Sequence, residues 1–452
     1  MRRIGNALAN FSTRWIPDAF VFAIALSVLV YVAGLFLTDH GPYQLVQDWY
    51  AGFWGLLEFG MQMTLVLVTG YALANSPPVG RGIAWIASLP RGPRSAYALT
   101  ALFAGLMGMV HWGLGLISGA LMAVRIAQSC RERGIKVHFP LLAASGYLGL
   151  MVWHSGLSGS GPLLVNTPDH FLADEIGTLP LSETILQPFN LVFLAAMLIG
   201  GPLLLLSMHP RTEECEEITE SFDQDRSAGG GPGTTATETD TQRMAPAQRL
   251  MHSRIPALLV TVAGLVFLVP ELLREGIVGM DLNLLNFLFL VVGIGLHGTL
   301  ASYAAAAAEG AKSASAVIIQ FPFYAGIMGM MEHSGLLEMI AQWFVEVSTP
   351  FSYPFWAMIS ACLVNLAVPS GGGQWAVQGP IVIGATESLG LNPGTGVMAV
   401  AMGDQLTNGL QPFWALPLLA LTRLRAGQVL GYSAVVMVFA IVVAGLSITF
   451  LR

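Results

Sequence analysis

What this chain has least of is charge. Lys, Arg, Asp and Glu make up 10% of its 452 residues, against roughly 25% in an ordinary soluble protein. Hydrophobic residues make up 54%, and the mean hydropathy is +0.65. A soluble fold cannot hide that much apolar surface behind so few charges. The sequence therefore reads as an all-α polytopic membrane protein. Cysteine is also scarce. Cys130, Cys215 and Cys362 are scattered, with no C-x-x-C and no metal-ligand spacing, so no metal site is expected from them. Basic blocks and arginine–aromatic platforms are missing, which argues against nucleic acid as a partner. The net charge is −7. Nine acids and five bases in residues 209–254 account for −4 of it.

What is present is a series of long apolar runs. Arg2, Arg3 and Arg14 precede the run from Ala19 to Leu37. That run exceeds the about 7–15 residues of a signal-peptide core, so it reads as a retained first span. With about 20 apolar residues per crossing, spans are predicted near 18–38, 53–75, 139–165, 188–208, 255–273, 283–302, 314–333, 396–421 and 428–450. Two further stretches, 96–126 and 354–386, are apolar but interrupted by glycine. A single helix of that length would extend roughly 45 Å, well beyond the hydrocarbon core. Each is expected to be a re-entrant hairpin.

Flanking charge supports this. Arg81, Arg91 and Arg94 precede the first stretch, and Arg125, Arg131, Arg133 and Lys136 lie at its end. Both flanks thus belong on the cytoplasmic side. The second stretch has no Lys or Arg in 332–353 or 384–395, so its flanks belong outside. Loops 39–52 and 166–187 lack basic residues as well, while 209–254 and Arg423/Arg425 are basic-containing and inside. Arg274 is the one basic residue this leaves outside. The expected architecture is nine crossings plus two hairpins, arranged as two inverted repeats, 1–208 and 255–452. Gln62 precedes Gly113, and Gln320 precedes Gly371, by the same 51 residues. Between the repeats, 209–254 has little to bury and reads as a disordered cytoplasmic linker. Inverted repeats with broken helices meeting at the bilayer midplane are the plan of secondary transporters.

The strongest local signal is Pro369-Ser370-Gly371-Gly372-Gly373-Gln374-Trp375. Such a run is a poor helix at membrane depth. It is expected to free the N–H groups of a helix starting near Gln374, forming a carboxylate site with Gln378 nearby. A tight helix–helix contact is the alternative. The second signal runs from Gly403 to Trp414. Asp404, Asn408 and Gln411 fall at i, i+4 and i+7, one helical stripe, and Pro412 should leave preceding carbonyls free. Asp404 and Thr407 are the candidate coupling-ion ligands, because an intramembrane acid is functional by default. In the first half, 153–162 is another break, with Ser158 and Ser160 as hydroxyl ligands. His111 and His154 are candidate proton shuttles or hydrogen-bonded interior histidines. Trp112, Trp153, Trp375, Phe413 and Trp414 flank the breaks as walls for an acyl chain or as interface anchors. Glu58 is expected to reach water. No Lys or Arg lies within a predicted span, which suits a small monocarboxylate. Import of an anion then needs a co-transported cation, H⁺ or Na⁺, since an inward negative charge costs ~2.3 kcal/mol per 100 mV.

Segments 320–327, 331–336, 368–375, 378–380 and 411–417, together with 14–18 and 59–62, resemble the short-chain fatty acid transporter family nearly end to end. The resemblance implies a bacterial inner-membrane carrier for acetoacetate or butyrate, and inverted repeats with re-entrant hairpins. It implies no cofactor beyond the coupling cation, and leaves a homodimer open. This chain departs from the family pattern in carrying His111, His154 and Asp404, where asparagine, glycine and glutamate are common. The rival is an intramembrane serine protease. Gly156-Leu157-Ser158-Gly159 matches its Gly-x-Ser-Gly motif, with His111 or His297 as base.

Overall fold

A computed structural model describes residues 19–218, 245–276, 280–367 and 370–452. Every regular element among them is helical, as a bilayer requires of a chain without a closed barrel. Many helices open on a proline that has no N–H to leave unpaired, as at Pro42, Pro77, Pro93, Pro188, Pro393 and Pro412. Among the described residues, five helices are long and apolar enough to cross a membrane: Leu57–Ala74, Trp112–Glu132, Pro188–Ser207, Arg254–Arg274 and Ala426–Phe450. Ala23–Leu37 and Leu282–His297 are shorter and apolar.

Both long glycine-interrupted stretches are helix pairs. In the first, α1 (Pro93–Val110) and α2 (Trp112–Glu132) are joined by His111 alone, in extended backbone. At the open end, the Arg133 guanidinium donates to the carbonyls of Ser88 (3.2 Å) and Pro90 (2.6 Å). The two flanks therefore lie together. In the second pair, α3 (Tyr353–Ala367) and α4 (Gly371–Ser388) are tied by Tyr353, whose hydroxyl donates to the Val382 carbonyl at 2.8 Å. Val368 and Pro369 of the predicted binding motif lie outside the described residues. The helix after them begins at Gly371, three residues before the expected start.

Both predicted broken spans are broken. The first comprises α5 (Phe139–Gly146), two short 3-10 turns and α6 (Ser160–Val165). The second comprises α7 (Pro393–Thr407), a 3-10 turn at Asn408–Leu410 and α8 (Pro412–Thr422). These breaks are the core of the molecule, since 139–156 and 396–409 are buried almost without interruption. The order of elements also repeats. Shifted by 258 residues, Pro77–Ala87 falls on 335–345, against Leu336–Val347. The same shift carries α1 onto 351–368 and α2 onto 370–390, against α3 and α4.

Two expectations need correction. The predicted spans 283–302 and 314–333 are not separated at 303–313. The chain turns at Gly298, with φ +72°, and one helix of 34 residues runs from Leu300 to His333. At about 51 Å it exceeds the hydrocarbon core. It carries a lysine mid-length, Lys312, which is exposed and paired with Glu309. The linker 209–254 is likewise not structureless throughout. Residues 209–218 are docked: the Glu216 N–H donates to His138 Nδ1 (3.0 Å), its carbonyl accepts from the Phe139 N–H (2.8 Å), and its carboxylate accepts from Gln428 (2.9 Å). Residues 219–244 lie outside the described part, as do 1–18.

The contacts sort the loops into two groups. The linker start, the end of the first pair and the 425–432 segment meet through His138, Glu216, Gln428 and Tyr432. At the other end Asn392 donates to Glu183, and Asn166 to the Met280 carbonyl. These are the groups that loop charge had assigned to inside and outside.

Glycines set the spacing around the first pair. A Cβ on Gly108 would stand 2.4 Å from the Gly149 oxygen, and one on Gly119 2.3 Å from the Gly146 oxygen. Backbone thus packs on backbone, as small residues permit in membranes. Gly108→Val should cost about 1–3 kcal/mol by overpacking and lower the thermal midpoint of the detergent-solubilised protein. Gly80→Val, whose Cβ meets nothing within 4 Å, is the control and should shift it far less.

Candidate functional site

The two breaks and the tips of the two pairs meet in the middle of the molecule. At the first tip, Ser158 and His111 are used for capping. The Ser158 hydroxyl accepts from the Trp112 N–H at 3.1 Å. His111 Nδ1 accepts from Gly113 (3.0 Å) and Leu114 (3.3 Å), and Nε2 donates to the Val66 carbonyl at 2.8 Å. The first N–H groups of α2 are thus satisfied by protein atoms. This arrangement removes the protease reading, because the hydroxyl is a cap and both nitrogens of the nearby histidine are engaged by backbone. His297 is held elsewhere, by Ser302 and the Ala72 carbonyl.

The second tip is described from Ser370 onward. Ser370 accepts from the Gly373 N–H at 3.2 Å and its carbonyl accepts from Gln374 at 2.7 Å. Among the described residues nothing accepts from the N–H groups of Gly371 or Gly372. The glycines are also demanded by packing. A Cβ on Gly371 would meet the His154 and Trp153 rings at 2.7 Å, and one on Gly373 would meet Tyr324 at 2.4 Å. Tip and contact are therefore the same feature. Gln374 donates to the Ala361 carbonyl and to Gln378, each at 2.9 Å, and Gln378 donates to Ser360 at 2.8 Å. Trp375 is fully buried against Gly161 and Gly379.

The second break carries Asp404, which is 1% exposed, with Oδ1 at 3.4 Å from His154 Nδ1. The expected single stripe is interrupted: the α-helix ends at Thr407, Asn408 starts a 3-10 turn, and Gln411 is extended. The carbonyls before Pro412 are not free for a cation either. Those of Asn408 and Gln411 accept the Tyr147 hydroxyl at 2.9 and 3.2 Å. Thr407 donates to Asn365 Oδ1 at 2.8 Å, and Gln411 donates to the Asn365 carbonyl at 2.9 Å. These bonds fasten the second break to the end of α3.

Sequence patterning missed several residues that tie the breaks to each other and to neighbouring helices. Gln405 donates to the Ser155 hydroxyl (2.6 Å) and accepts from the Ser155 N–H (3.2 Å), while Asn190 donates to the Ser155 carbonyl (3.0 Å). Tyr147 and Asn365 belong to the same set. Their one signal was amide, hydroxyl and phenol groups inside otherwise apolar runs. Around the breaks lies an aromatic group: Trp153 stacks on His154 at 3.8 Å, and Trp112 meets Trp414 at 5.2 Å and Trp153 at 6.4 Å. The Phe413 side chain lies outside the described part. Glu58 is exposed in the first turn of its helix, as expected.

Not every polar group here is satisfied. Among the described residues, Ser160 Oγ, Asn365 Nδ2, Gln374 Oε1, His154 Nε2, both side-chain atoms of Asn408 and both Asp404 oxygens are buried without a hydrogen-bond partner. Native interiors leave few such atoms, so their concentration marks a place built for a ligand, an ion or water. The expected substrate residues therefore separate. Ser160, Gln374, Asn408, Gly371 and Gly372 have capacity to spare, whereas Ser158 is spent on capping, and Ser370, Gln378 and Gln411 each hold another protein group.

The chain matches, over residues 1–451, the family described as short chain fatty acid transporter. It is 36% identical over 452 residues to an Escherichia coli (strain K12) protein named "Putative short-chain fatty acid transporter", covering 99% of both chains. A Haemophilus influenzae protein of the same name is 35% identical over 444 residues, covering 97% of each. In fold it is similar to the crystal structure of the Alcanivorax borkumensis YdaH transporter. That likeness has a TM-score of 0.55 at 16% identity and covers 96% of this chain and 99% of the other.

Ser158→Ala should cost about 0.5–2 kcal/mol as a lost cap, read as a lower thermal midpoint. A serine-directed phosphonate should leave the wild-type protein unlabelled. Labelling at Ser158 would restore the nucleophile reading.

Proposed function

The chain belongs to the short-chain fatty acid transporter family, and on that premise we propose that it imports small monocarboxylates of the acetoacetate and butyrate class by cation-coupled alternating access. The observation that carries this reading is the cluster of unpartnered buried polar atoms where both breaks meet the second tip. The N–H groups of Gly371 and Gly372, which have no acceptor among the described residues, lie at the positive end of α4 and suit a carboxylate. Ser160, Gln374 and Asn408 add hydroxyl and amide contacts, and Trp112, Trp153 and Trp414 offer apolar cover for a short acyl chain. No lysine or arginine ion-pairs within this cluster among the described residues, so a second carboxylate on the substrate would have no counter-charge. The coupling cation belongs at Asp404.

In the proposed topology the chain crosses a bacterial inner membrane nine times, with α1–α2 and α3–α4 as re-entrant hairpins from opposite sides. The grouping of the loops supports this. Single cysteines test it in a background without Cys130, Cys215 and Cys362. Ser88→Cys and Lys136→Cys should label only from the cytoplasm, and Thr349→Cys and Ser388→Cys only from outside. All four positions are exposed, whereas native Cys130 is fully buried and would make a poor reporter. Opposite labelling of 88 and 136 would turn the first pair into a complete crossing and end the topology.

Transport is tested in proteoliposomes with labelled butyrate and acetoacetate under imposed H⁺ or Na⁺ gradients. Accumulation should follow one gradient and collapse when it is dissipated; uptake that only ever equilibrates would overturn the coupling. Asn408→Ala removes two ligand-facing atoms worth about 0.5–1.5 kcal/mol each if both bond substrate. It should raise the KM for butyrate roughly tenfold.

A further inference from the structure

We propose that His154 and Asp404 form one proton-carrying unit between the two halves, so that the coupling cation of this transport is H⁺ and not Na⁺. The inference rests on the transporter reading and adds the ion and its carrier. His154 sits in the 3-10 turn Trp153–Ser155 of the first break, and Asp404 in α7 of the second. Their 3.4 Å approach, with side chains 2% and 1% exposed, is the one acid–base contact joining the halves among the described residues. The ring is held by the Ala401 carbonyl, 3.2 Å from Nδ1. A carbonyl only accepts, so Nδ1 carries the hydrogen and the partnerless Nε2 has a free lone pair. Both carboxylate oxygens are partnerless too.

What surrounds the pair decides its charge. On α3 it is faced by Cys362 and Asn365; Thr407 of α7 holds the Asn365 side chain, and Gln405, beside Asp404 in the sequence, holds Ser155. No lysine, arginine or second carboxylate faces it among the described residues. Without an added proton the pair is a single buried negative charge, which a closed, dry bundle holds only at great cost. One proton from water, taken up at Nε2 or at a carboxylate oxygen, brings it to zero. No other bond changes, and the proton returns to water when the site opens to the other side. Closure is then possible only with the proton aboard, which makes coupling obligatory.

A sodium ion could neutralise the same charge but needs a cage of oxygens, as hard cations do. Several of the backbone and hydroxyl oxygens here already hold a protein group, which leaves the carboxylate of Asp404 and the side-chain oxygens of Asn408 and Ser160. The Ala401 carbonyl holds His154, the Asn408 and Gln411 carbonyls hold Tyr147, and Thr407 is turned to Asn365. What faces Asp404 is nitrogen, His154 Nδ1–H and the amide of Asn365.

One arm of the test needs no substrate. Infrared difference spectra of the full-length protein in lipid, across a pH series, should show a protonated-carboxyl band. It should be the same with and without sodium, absent in Asp404→Asn and regained in Asp404→Glu. Its midpoint should be displaced in His154→Gln. A band removed by sodium, or one retained in Asp404→Asn, overturns the proposal. The second arm reads internal pH during butyrate exchange in proteoliposomes. The wild type should move protons with butyrate at any sodium concentration, and Asp404→Asn should not. Butyrate movement that depends on sodium and carries no proton overturns it as well. If the band behaves as expected while no short-chain carboxylate is exchanged, the proton unit stands and the substrate reading is what fails.

Discussion

Breaking a helix inside a membrane frees backbone N–H and C=O groups where no water can take them. The centre of this protein is organised around that constraint. Many of the freed groups are taken by side chains: Ser158 and His111 for the start of α2, Tyr147 for the carbonyls before Pro412, Gln405 for Ser155 and Gln411 for the end of α3. Two of these sets, Tyr147 with Asn408 and Gln411 and Gln405 with Ser155, come from opposite halves, so satisfying the backbone there also fastens the halves together. Among the described residues, the breaks and the second tip keep buried polar atoms that no protein group satisfies, on Ser160, Asn365, Gln374, Asn408, His154 and Asp404.

The repeat does not impose equal chemistry on its two copies. The first tip is closed by an imidazole and a hydroxyl, which fill every N–H position of the first turn of α2. The second tip has one serine cap, and among the described residues the N–H groups of Gly371 and Gly372 have no acceptor. A pair of similar scaffolds has thus become one structural joint and one potential anion site. The difference lies in single residues, His111 against Ser370 at the cap position, and not in the course of the chain.

Much of this was legible in the sequence. Glycine-interrupted runs too long for one crossing gave both helix pairs, and loop charge gave the two groups of loops later seen in contact. The clustering of Gly, Ser and Pro near 156–162 located the first break, and that near 369–373 the second tip. The cap roles of His111 and Ser158 were not legible, because Ser158 and Trp112 are 46 residues apart and a local pattern cannot pair them. The Gln405–Ser155 bond spans 250 residues and the Tyr147–Asn408 bond 261. The 404/408/411 stripe failed for a local reason. A helical period assumes the helix continues, and Pro412 had already converted residues 408–410 to a 3-10 turn. The fused helix Leu300–His333 was hidden by Glu309 and Lys312, which resemble a loop by charge but pair with each other at i and i+3 on an exposed helical face.

One helix stands outside the repeated order, and its isolation explains the symmetry. Arg254–Glu275 is mostly exposed and packs chiefly on Leu282–His297. There Gly264 makes room for Val291, and Gly295 for Thr261. In the proposed topology each repeat contributes four crossings and a hairpin that returns to its own side. Four is even, so a second copy joined directly would enter from the same side as the first, and both open tips would face one way. A single added crossing reverses the second copy. At 22 residues, about 33 Å, this helix just spans the hydrocarbon core without having to enter the crowded centre. Tips that enter from opposite faces can meet at the midplane, and only there can a residue of the first break, His154, touch an acid of the second, Asp404. The contact on which coupling is proposed to depend is thus a consequence of crossing parity.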